Sequence, residues 1–520
     1  MKSPDEKSVV VIGAGVGGLC AAVRLAASGQ RVTVVEAHAG PGGKMRTLSS
    51  DAGPVDAGPT VLTMRRVFDD VFAAAGARLE DHLTLIPLQI LARHFWPDGS
   101  KLDLFTDPEA NVAAIFDLAG GRAADEFRRF DRLSSQLYTT FDALMMQAPR
   151  PRLATVTMKA LCYPHLWGAL RPGMTLGRHL AGQFTDPRLQ QLFGRYATYV
   201  GGPPDLSPAV LSLIWAAEAR GVWAVQGGMH QLAQALAGLA TRHGATLTYN
   251  VAARRIERQG GRVIGVELSD GRLLKCDHVV FNGDPAALLA GLLGNGPQGA
   301  LKPVAAHPRS LSAWVWAFAA RPQGADLAYH NVFFCTDPAQ EFGPIAAGRM
   351  PDQATLYVCA QDRAVGLPAA NAPERFEIIM NAPPKTTQSP GEIAQCRTRT
   401  FPQLARFGLT FDQDPPDSSL TTPQGFSTLF PASQGALYGR SPVGMLAAFQ
   451  RPCARTTLPG LYLAGGGAHP GPGVPMAGLS GRHAAEAILA DLTSASKSRP
   501  TAMPGGMSMG SRTTGRAPSR

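Results

Sequence analysis

Charged side chains are scarce in this sequence. Asp, Glu, Lys and Arg together make up 17% of the 520 residues, whereas hydrophobic residues make up 45%. This composition is typical of a folded protein with an apolar interior. Because the chain is longer than one hydrophobic core usually accommodates, we expect more than one domain. Basic residues outnumber acidic ones by 49 to 39, but no basic stripe interleaved with aromatic residues accompanies them. The composition therefore predicts no nucleic-acid partner.

Regularly spaced cysteines are also absent. Seven cysteines are scattered along the chain without a C-x-x-C pair, which argues against the usual zinc and iron–sulfur motifs and against a disulfide-rich scaffold. We therefore predict reduced thiols in a cytoplasmic protein, with no metal site. The seven positions are Cys20, Cys162, Cys276, Cys335, Cys359, Cys396 and Cys453.

No apolar run has the composition of a membrane-spanning helix. Residues 456–481 carry no Asp, Glu, Lys or Arg, but they are dense in Gly and Pro, which a spanning helix does not tolerate at that density. Asp5 and Glu6 interrupt the N-terminal stretch, so we predict no signal peptide. Any attachment to a membrane is expected to be peripheral.

The most informative stretch of the chain is residues 9–46. Residues 9–12 predict a buried strand, glycines in G-x-G-x-x-G spacing follow, and an apolar stripe of helical period leads to a second strand that ends at Glu36. In such a unit the glycines let the backbone approach a pyrophosphate, and the helix N-terminus attracts the phosphates. The carboxylate accepts hydrogen bonds from ribose hydroxyls and disfavours the 2′-phosphate of NADP. The three glycines of the pattern are Gly13, Gly15 and Gly18.

A second copy of the glycine spacing occurs at Gly294, Gly296 and Gly299. It follows an Ala/Leu-rich helical stretch instead of a strand, and Pro297 interrupts it. We therefore predict a turn there, and dinucleotide binding at the N-terminal copy alone.

The residues just beyond the first unit indicate which dinucleotide is bound. Gly42-Gly43-Lys44-Met45-Arg46 resembles the motif of the amine oxidase and phytoene desaturase superfamily, in which a Gly-Gly pair and a basic residue follow the ribose-binding Glu. The resemblance implies FAD. It also implies that the following residues bind the cofactor: Gly13, Gly15, Gly17, Gly18, Glu36, Gly42, Gly43, Lys44 and Arg46.

Three later segments extend the resemblance over most of the chain. Residues 56–60 match the family's D-A-G-P-T segment, which runs beside the flavin, and residues 460–481 resemble its second FAD motif. A strand like that predicted over residues 246–251 contacts the adenine in relatives. The resemblance thus adds these cofactor-binding candidates: Gly58, Pro59, Thr60, Val251, Gly465, Gly466 and Gly478.

The resemblance implies an α/β fold, with a Rossmann-like, doubly wound FAD-binding domain and a discontinuous α+β substrate domain. We assign residues 1–65, 227–300 and 445–492 to the first domain, and residues 66–226 and 301–444 to the second. Residues 493–520, rich in Ser, Arg, Met, Gly and Pro, are expected to be a disordered basic tail.

Residues 94–107, with the sequence HFWPDGSKLDLFTD, predict a hairpin turning at Asp98-Gly99. They resemble the branch of the phytoene desaturase family that desaturates hydroxylated or methoxylated carotenoids. The expected activity is then FAD-dependent C-3,4 desaturation of an acyclic 1-hydroxycarotenoid. Residues 151–226 are unusually apolar and aromatic, which fits an ordinary core and also a long tunnel or a membrane-dipping surface.

Several alternatives stay open at this point. The same family includes phytoene desaturases and carotene isomerases, and the wider superfamily includes amine oxidases. A rival of another class is a non-catalytic prenyl-lipid carrier on the same fold, but its cofactor motif is expected to be degraded. Here Gly13, Gly15, Gly18 and Glu36 are intact.

Hydride removal from a carotenoid leaves a cation that the polyene delocalises, so the reaction needs no strong base. Asp103, Asp56 and His469 are therefore only candidate catalytic residues, and each also fits a structural role. The expected partners are the carotenoid, a membrane surface bound peripherally, and an electron acceptor such as oxygen or a quinone.

Overall fold

The computed structural model describes residues 7–302, 308–366 and 372–497. The strands are β1 Ser8–Ile12, β2 Arg31–Val35, β3 Thr47–Leu48, β4 Val55–Asp56, β5 Leu85–Pro87, β6 Ile90–Phe95, β7 Lys101–Phe105, β8 Trp223–Val225, β9 Thr246–Thr248, β10 Ala253–Gln259, β11 Arg262–Leu268, β12 Leu273–Lys275, β13 His278–Phe281, β14 Ser312–Ala320, β15 Pro322–Gly324, β16 His330–Phe333, β17 Leu356–Ala360, β18 Glu374–Ala382, β19 Leu409–Phe411, β20 Leu420–Thr421 and β21 Leu461–Leu463. The α-helices are α1 Val16–Ala27, α2 Arg66–Ala73, α3 Pro108–Phe141, α4 Leu153–Leu161, α5 Trp167–Leu170, α6 Leu176–Gln183, α7 Pro187–Gly194, α8 Leu213–Glu218, α9 His230–Arg242, α10 Ala286–Leu289, α11 Pro338–Ala346, α12 Glu392–Arg406, α13 Pro423–Leu429 and α14 Val474–Lys497.

A five-stranded sheet in the order β21-β13-β1-β2-β9 holds the predicted nucleotide unit. All four of its strand pairs are parallel. Val9 and Val11 of β1 pack with helices α1, α9 and α14 on one face of this sheet. Val10 and Ile12 pack on the other face with the antiparallel sheet β10-β11-β12. Burial on both faces explains why β1 is a continuous apolar run, and the predicted Rossmann-like α/β architecture is confirmed.

A seven-stranded sheet in the order β20-β14-β18-β17-β16-β6-β7 forms the second large sheet. The apolar segments that the sequence shows at residues 311–318, 332–335 and 356–360 contribute β14, β16 and β17 to it. Helices α3 and α6 to α8 pack over its β6–β7 end in an aromatic core that contains Phe127, Phe193 and Trp215. Most of the apolar residues of 151–226 are thus ordinary core, although the exceptions described below line a cavity.

The predicted hairpin over residues 94–105 is present, since β6 and β7 pair antiparallel. Its turn differs from the predicted two-residue type. The amide of Trp96 donates to the carbonyl oxygen of Ser100 at 3.0 Å, and the amide of Gly99 donates to that of Trp96 at 3.0 Å. The connection is therefore a three-residue loop of Pro97, Asp98 and Gly99, with Gly99 at a positive φ of 84°.

Helix α14 corrects two predictions at the C-terminal end. The sequence predicts a helix over residues 482–492, but α14 begins at Val474 and includes Gly478 and Gly481. A Cβ at Gly481 would overlap the carbonyl oxygen of Gly17 in α1, so this glycine lets two helices pack closely. The helix also extends to Lys497, so residues 493–497 are helical and not disordered. The rest of the predicted tail, residues 498–520, lies outside the described residues.

The five-stranded sheet combines β1 and β2 with β9, β13 and β21, whereas the seven-stranded sheet combines β6 and β7 with β14, β16, β17, β18 and β20. This grouping supports a discontinuous arrangement of the chain. The domain boundaries given above stay a prediction.

Candidate active site

The turn between β1 and α1 forms a narrow cradle. The amide of Gly13 donates to the carbonyl oxygen of Val35 at 2.8 Å, and Gly15 precedes the first turn of α1 in an extended conformation. A Cβ at Gly15 would lie 2.8 Å from Asn282 Nδ2, and one at Gly18 would overlap the carbonyl oxygen of Gly13. The packing therefore requires glycine at both positions, and the open N-terminus of α1 faces the cradle as phosphate binding needs.

The two glycine motifs predicted from distant parts of the sequence meet in the structure. A Cβ at Gly17 would lie 2.5 Å from the backbone nitrogen of Gly465. The amide of Gly465 donates to Ser480 Oγ at 2.7 Å, and the carbonyl oxygen of Gly466 accepts from Arg451 Nη1 at 3.2 Å. The second motif is thus held against the start of α1.

Glu36 lies buried at the end of β2. Its Oε2 accepts from the amide of Ala14 at 2.7 Å, and its Oε1 accepts from the amide of His38 at 2.9 Å. Two further lone pairs of the carboxylate stay available for ribose hydroxyls. The amide of Val251 donates to the Glu36 carbonyl oxygen at 3.0 Å, which places the predicted adenine contact beside the predicted ribose contact.

Residues 42–46 close over the cradle. The amide of Gly42 donates to the carbonyl oxygen of Ala14 at 2.8 Å, and Gly43 follows it. Lys44 Nζ donates to the carbonyl oxygen of Leu437 at 2.5 Å, and burial lowers its pKa to about 8. The Arg46 guanidinium bonds to the Thr421 hydroxyl. Both basic side chains thus reach residues 421–437, and their cofactor contacts stay a prediction.

A large cavity of about 1310 Å³ opens beside these residues. It exceeds the roughly 300–1,000 Å³ of ordinary small-molecule pockets, and its lining is mostly apolar. Gly58, Pro59 and Thr60 line it, as do residues 469–470 and 472–476, so both segments predicted to lie beside the flavin face it. The cavity reaches the surface among partly exposed apolar residues, namely Leu153, Leu161, Trp167, Met445 and Leu446.

Asp103 does not line this cavity. It lies on β7, where its two oxygens accept from Arg93 Nε and Nη2 at 2.8 Å each. Its neighbours Leu102 and Leu104 belong to the aromatic core, so Asp103 points to the opposite face of the sheet. The structure therefore gives this carboxylate an ion-pair partner and separates it from the other candidates.

Asp56 is also outside the cavity lining. It is buried, and its carboxylate accepts from the amides of Met229 at 2.5 Å and His230 at 3.1 Å. Burial raises its pKa, although these backbone bonds oppose the rise. Asp56 thus caps the start of helix α9, and this position accounts for its presence without any catalytic step.

His469 is the one catalytic candidate of the three that lines the cavity. Its Nε2 donates to the carbonyl oxygen of Ala148 at 2.8 Å, and its ring stacks on His483 with centroids 5.9 Å apart. Burial lowers its pKa, so the imidazole is neutral near pH 7 and a weak base.

Gly478 faces α2, where a Cβ would lie 3.2 Å from Val67 Cγ1. Its contact with the cofactor stays a prediction.

Sequence reasoning missed Asn282, which follows β13. Its Nδ2 donates to the carbonyl oxygen of Gly13 at 3.1 Å, and it lies next to Gly15 and Gly465. A signal for it was present, because Asn282 directly follows an apolar strand and the carboxyl ends of parallel strands meet at one edge of a sheet. Sequence reasoning also did not identify Arg195, which lines the cavity, as a candidate site residue.

Comparison with known proteins decides the family. The sequence profile described as "Flavin containing amine oxidoreductase" matches residues 16–489. The chain belongs to this family. It is therefore an oxidoreductase that uses FAD, and the glycine cradle and the open carboxylate of Glu36 fit that cofactor. The prediction of an FAD enzyme is confirmed, which removes the alternative of a non-catalytic carrier.

Two curated relatives cover nearly the whole chain. Hydroxyneurosporene desaturase of Cereibacter sphaeroides is 64% identical over 94% of this chain and 99% of the relative. Hydroxyneurosporene desaturase of Rhodobacter capsulatus is 58% identical over 95% of this chain and 100% of the relative. Among solved structures, cyclohexylamine oxidase from Brevibacterium oxydans is 16% identical with a TM-score of 0.54, covering 94% of this chain and 100% of that chain. The last likeness supports the fold alone.

Proposed function

We propose that this enzyme introduces a double bond between C-3 and C-4 of an acyclic 1-hydroxycarotenoid in carotenoid biosynthesis. The observation that carries the proposal is the large apolar cavity, which runs from Gly58–Thr60 beside the cradle to the surface at Leu161 and Trp167. Such a shape suits a long hydrocarbon with one reacting end. The identity of 64% to a hydroxyneurosporene desaturase supports this substrate class.

The reaction removes a hydride from one saturated carbon and a proton from its neighbour, and a carbon–carbon double bond forms. FAD, when bound, supplies the acceptor for the hydride and its two electrons. The chain itself holds the polyene along the apolar walls of the cavity. The proton leaves to water or to a weak acceptor, since burial lowers the pKa of His469 and so weakens it as a base.

We also propose that the enzyme binds a membrane surface at the cavity opening. Leu161 and Trp167 line the opening and are 54% and 48% exposed, and Lys159 lies near Leu161 on α4. Exposed apolar side chains flanked by basic residues favour interfacial binding. A carotenoid could then pass from the bilayer into the cavity without crossing water.

Within residues 7–302, 308–366 and 372–497, every helix is too short or too polar to span a bilayer. The expected cytoplasmic location stays a prediction. We propose oxygen or a quinone as the final electron acceptor, and a membrane quinone would reach the same opening.

The test is incubation of the FAD-loaded enzyme in liposomes with a panel of carotenoids, with oxygen or a quinone as acceptor. We expect the 1-hydroxycarotenoids to give a product that has lost two hydrogens at C-3 and C-4. Conversion of phytoene, with no conversion of any hydroxylated compound, would favour the phytoene desaturase alternative. Isomerised product of unchanged mass would favour a carotene isomerase.

A further inference from the structure

A polar cluster interrupts the apolar wall of the cavity. It consists of Arg195, Tyr199, Tyr357, Glu218 and Thr60, all of which line the cavity; we call it the Arg195 cluster. Arg195 begins the 3-10 turn Arg195–Val200 directly after α7. Its side chain keeps accessible surface although protein surrounds it, so that surface opens to the cavity and not to bulk solvent.

The Arg195 guanidinium has donors to spare. Its Nη1 donates to the Tyr199 hydroxyl at 3.1 Å, and its charged end lies over the rings of Tyr199 and Tyr357, 5.1 and 5.5 Å from their centroids. In the part of the chain that the structure describes, this is the one hydrogen bond that the side chain makes. An arginine side chain carries five N–H donors, so most of them stay free for an acceptor in the cavity.

The side chain is held as a cation. Burial opposes its charge, but Tyr199 and Glu218 keep the pKa of Arg195 above its ordinary value. Glu218 has another partner, because its Oε1 accepts from the Tyr196 hydroxyl at 2.8 Å. A permanent cation among aromatic rings in an apolar cavity is costly unless it binds an acceptor when the cavity fills.

The Arg195 cluster lies at the end of the cavity beside the predicted flavin. The Tyr357 hydroxyl is 2.8 Å from Thr60 Oγ1 and 2.6 Å from His330 Nδ1. Thr60 belongs to the segment Gly58–Thr60, which packs directly on residues 44–45 of the cofactor cradle. The cation is therefore close to the place where the reacting carbons must lie.

We infer that Arg195, supported by Tyr199 and Tyr357, binds the oxygen at C-1 of the carotenoid and so selects substrates that carry it. The inference rests on the proposed function, in which C-3 is two bonds from C-1. An oxygen there reaches a cation near the reacting carbons, and both a hydroxyl and a methoxy oxygen can accept from it. A hydrocarbon end would instead displace water and leave the buried donors unpaired, which sites of this kind reject strongly.

The test compares Arg195→Met and Arg195→Lys with the wild-type holoenzyme. Binding is measured by quenching of tryptophan fluorescence in the dithionite-reduced enzyme, in which no turnover occurs. The probes are a 1-hydroxycarotenoid and the same skeleton without the hydroxyl. We expect the Kd of the wild type to be about 10- to 100-fold lower for the hydroxylated probe, because a hydrogen bond to a charged group contributes a free energy of that size. Arg195→Met should bring the two Kd values together, and Arg195→Lys should keep part of the difference.

Arg178→Met is the matched control, because Arg178 is exposed on α6 and does not line the cavity. It should keep the wild-type ratio of Kd values. If Arg195→Met does not fold, Tyr199→Phe keeps the ring and removes the hydroxyl that Arg195 contacts. Tyr199→Phe and Arg195→Lys, each tested as a single variant, should still lower the ratio of the two Kd values several-fold. An unchanged ratio in every folded Arg195 and Tyr199 variant would overturn the inference.

The two proposals fail in different ways. Wild-type enzyme that desaturates both probes and binds them equally would overturn the inference, while desaturation itself would stand. Wild-type enzyme that binds the probes but desaturates no carotenoid would refute the proposed function, whatever the ratio of Kd values.

Discussion

Asn282 Nδ2 donates a hydrogen bond of 3.1 Å to the carbonyl oxygen of Gly13. This bond ties the end of β13 to the turn between β1 and α1, although the two residues lie far apart in sequence. Gly465, which lies just after β21, is also next to Asn282, since a Cβ there would lie 2.7 Å from Asn282 Oδ1. The cofactor cradle is thus assembled around one amide side chain.

Asn282→Ala should weaken FAD binding. The substitution leaves the Gly13 carbonyl oxygen without this partner and lets the turn relax, so we expect Kd for FAD to rise by roughly 10-fold. Flavin retention after dilution measures it. Asn331→Ala is the control: the Asn331 side chain also donates to backbone carbonyl oxygens, but it lies in the seven-stranded sheet. It should lower stability and leave Kd unchanged; equal effects on Kd would contradict a specific role for Asn282.

Glu36→Ala should also weaken FAD binding. We expect a loss of about 1.5–3 kcal/mol, because two ribose hydroxyls lose a charged acceptor. Glu36→Gln keeps the shape of the side chain but removes the charge and one of the two oxygens that accept from Ala14 and His38, so it should also weaken FAD binding. Full flavin occupancy in both purified variants on dilution would show that the ribose assignment is wrong.

The nucleotide unit could be predicted from sequence because its signals are local. Residues 9–36 carry strand, turn, helix and carboxylate in register, and the structure places β1, α1, β2 and Glu36 accordingly. The hairpin of β6 and β7 has similarly local turn residues. The glycine-rich composition around Gly478 and Gly481, by contrast, predicted a loop. The structure has helix α14 there, because both glycines let α14 pack against α2 and α1.

The cavity chemistry could not be predicted, because it depends on contacts between distant residues. Asp103 is a plausible base in sequence, and only the pairing of β6 with β7 places Arg93 against it. Nothing in the sequence distinguishes Arg195 from the other arginines, because its place in the cavity depends on contacts with Tyr357 of β17 and on the position of Thr60. The resemblance to a family supplied the cofactor and the substrate class, whereas the geometry supplied the arrangement within the cavity.

The exposed apolar residues at the cavity opening should drive membrane binding. Leu161→Asp should reduce binding to anionic vesicles by about 10-fold or more, since burying a leucine side chain is worth about 1.5–3 kcal/mol. Co-sedimentation measures the bound fraction. Leu273→Asp is the control, because Leu273 on β12 is 51% exposed, close to the 54% of Leu161, but lies outside the cavity lining. Equal losses in both variants would contradict a specific binding surface.

Asp103→Asn and His469→Gln should both retain flavin reduction. Asp103 pairs with Arg93 outside the cavity, so its variant should lose stability while the rate stays within about 10-fold of wild type. His469→Gln should slow the reaction by about 100-fold at most, the low end of general-base effects. The rates are compared at matched FAD occupancy. Complete loss of flavin reduction in a folded, FAD-loaded Asp103→Asn variant would make that carboxylate an essential base.

The most direct test of desaturation itself is an anaerobic single turnover. FAD-loaded enzyme in liposomes is mixed with excess 1-hydroxycarotenoid that carries deuterium at C-3 and C-4, and flavin absorbance and product mass are followed together. We predict that the flavin is reduced, more slowly than with the unlabelled compound, and that each reduced flavin yields one product lacking a deuterium from each carbon. Flavin that stays oxidised while the carotenoid is bound would contradict it.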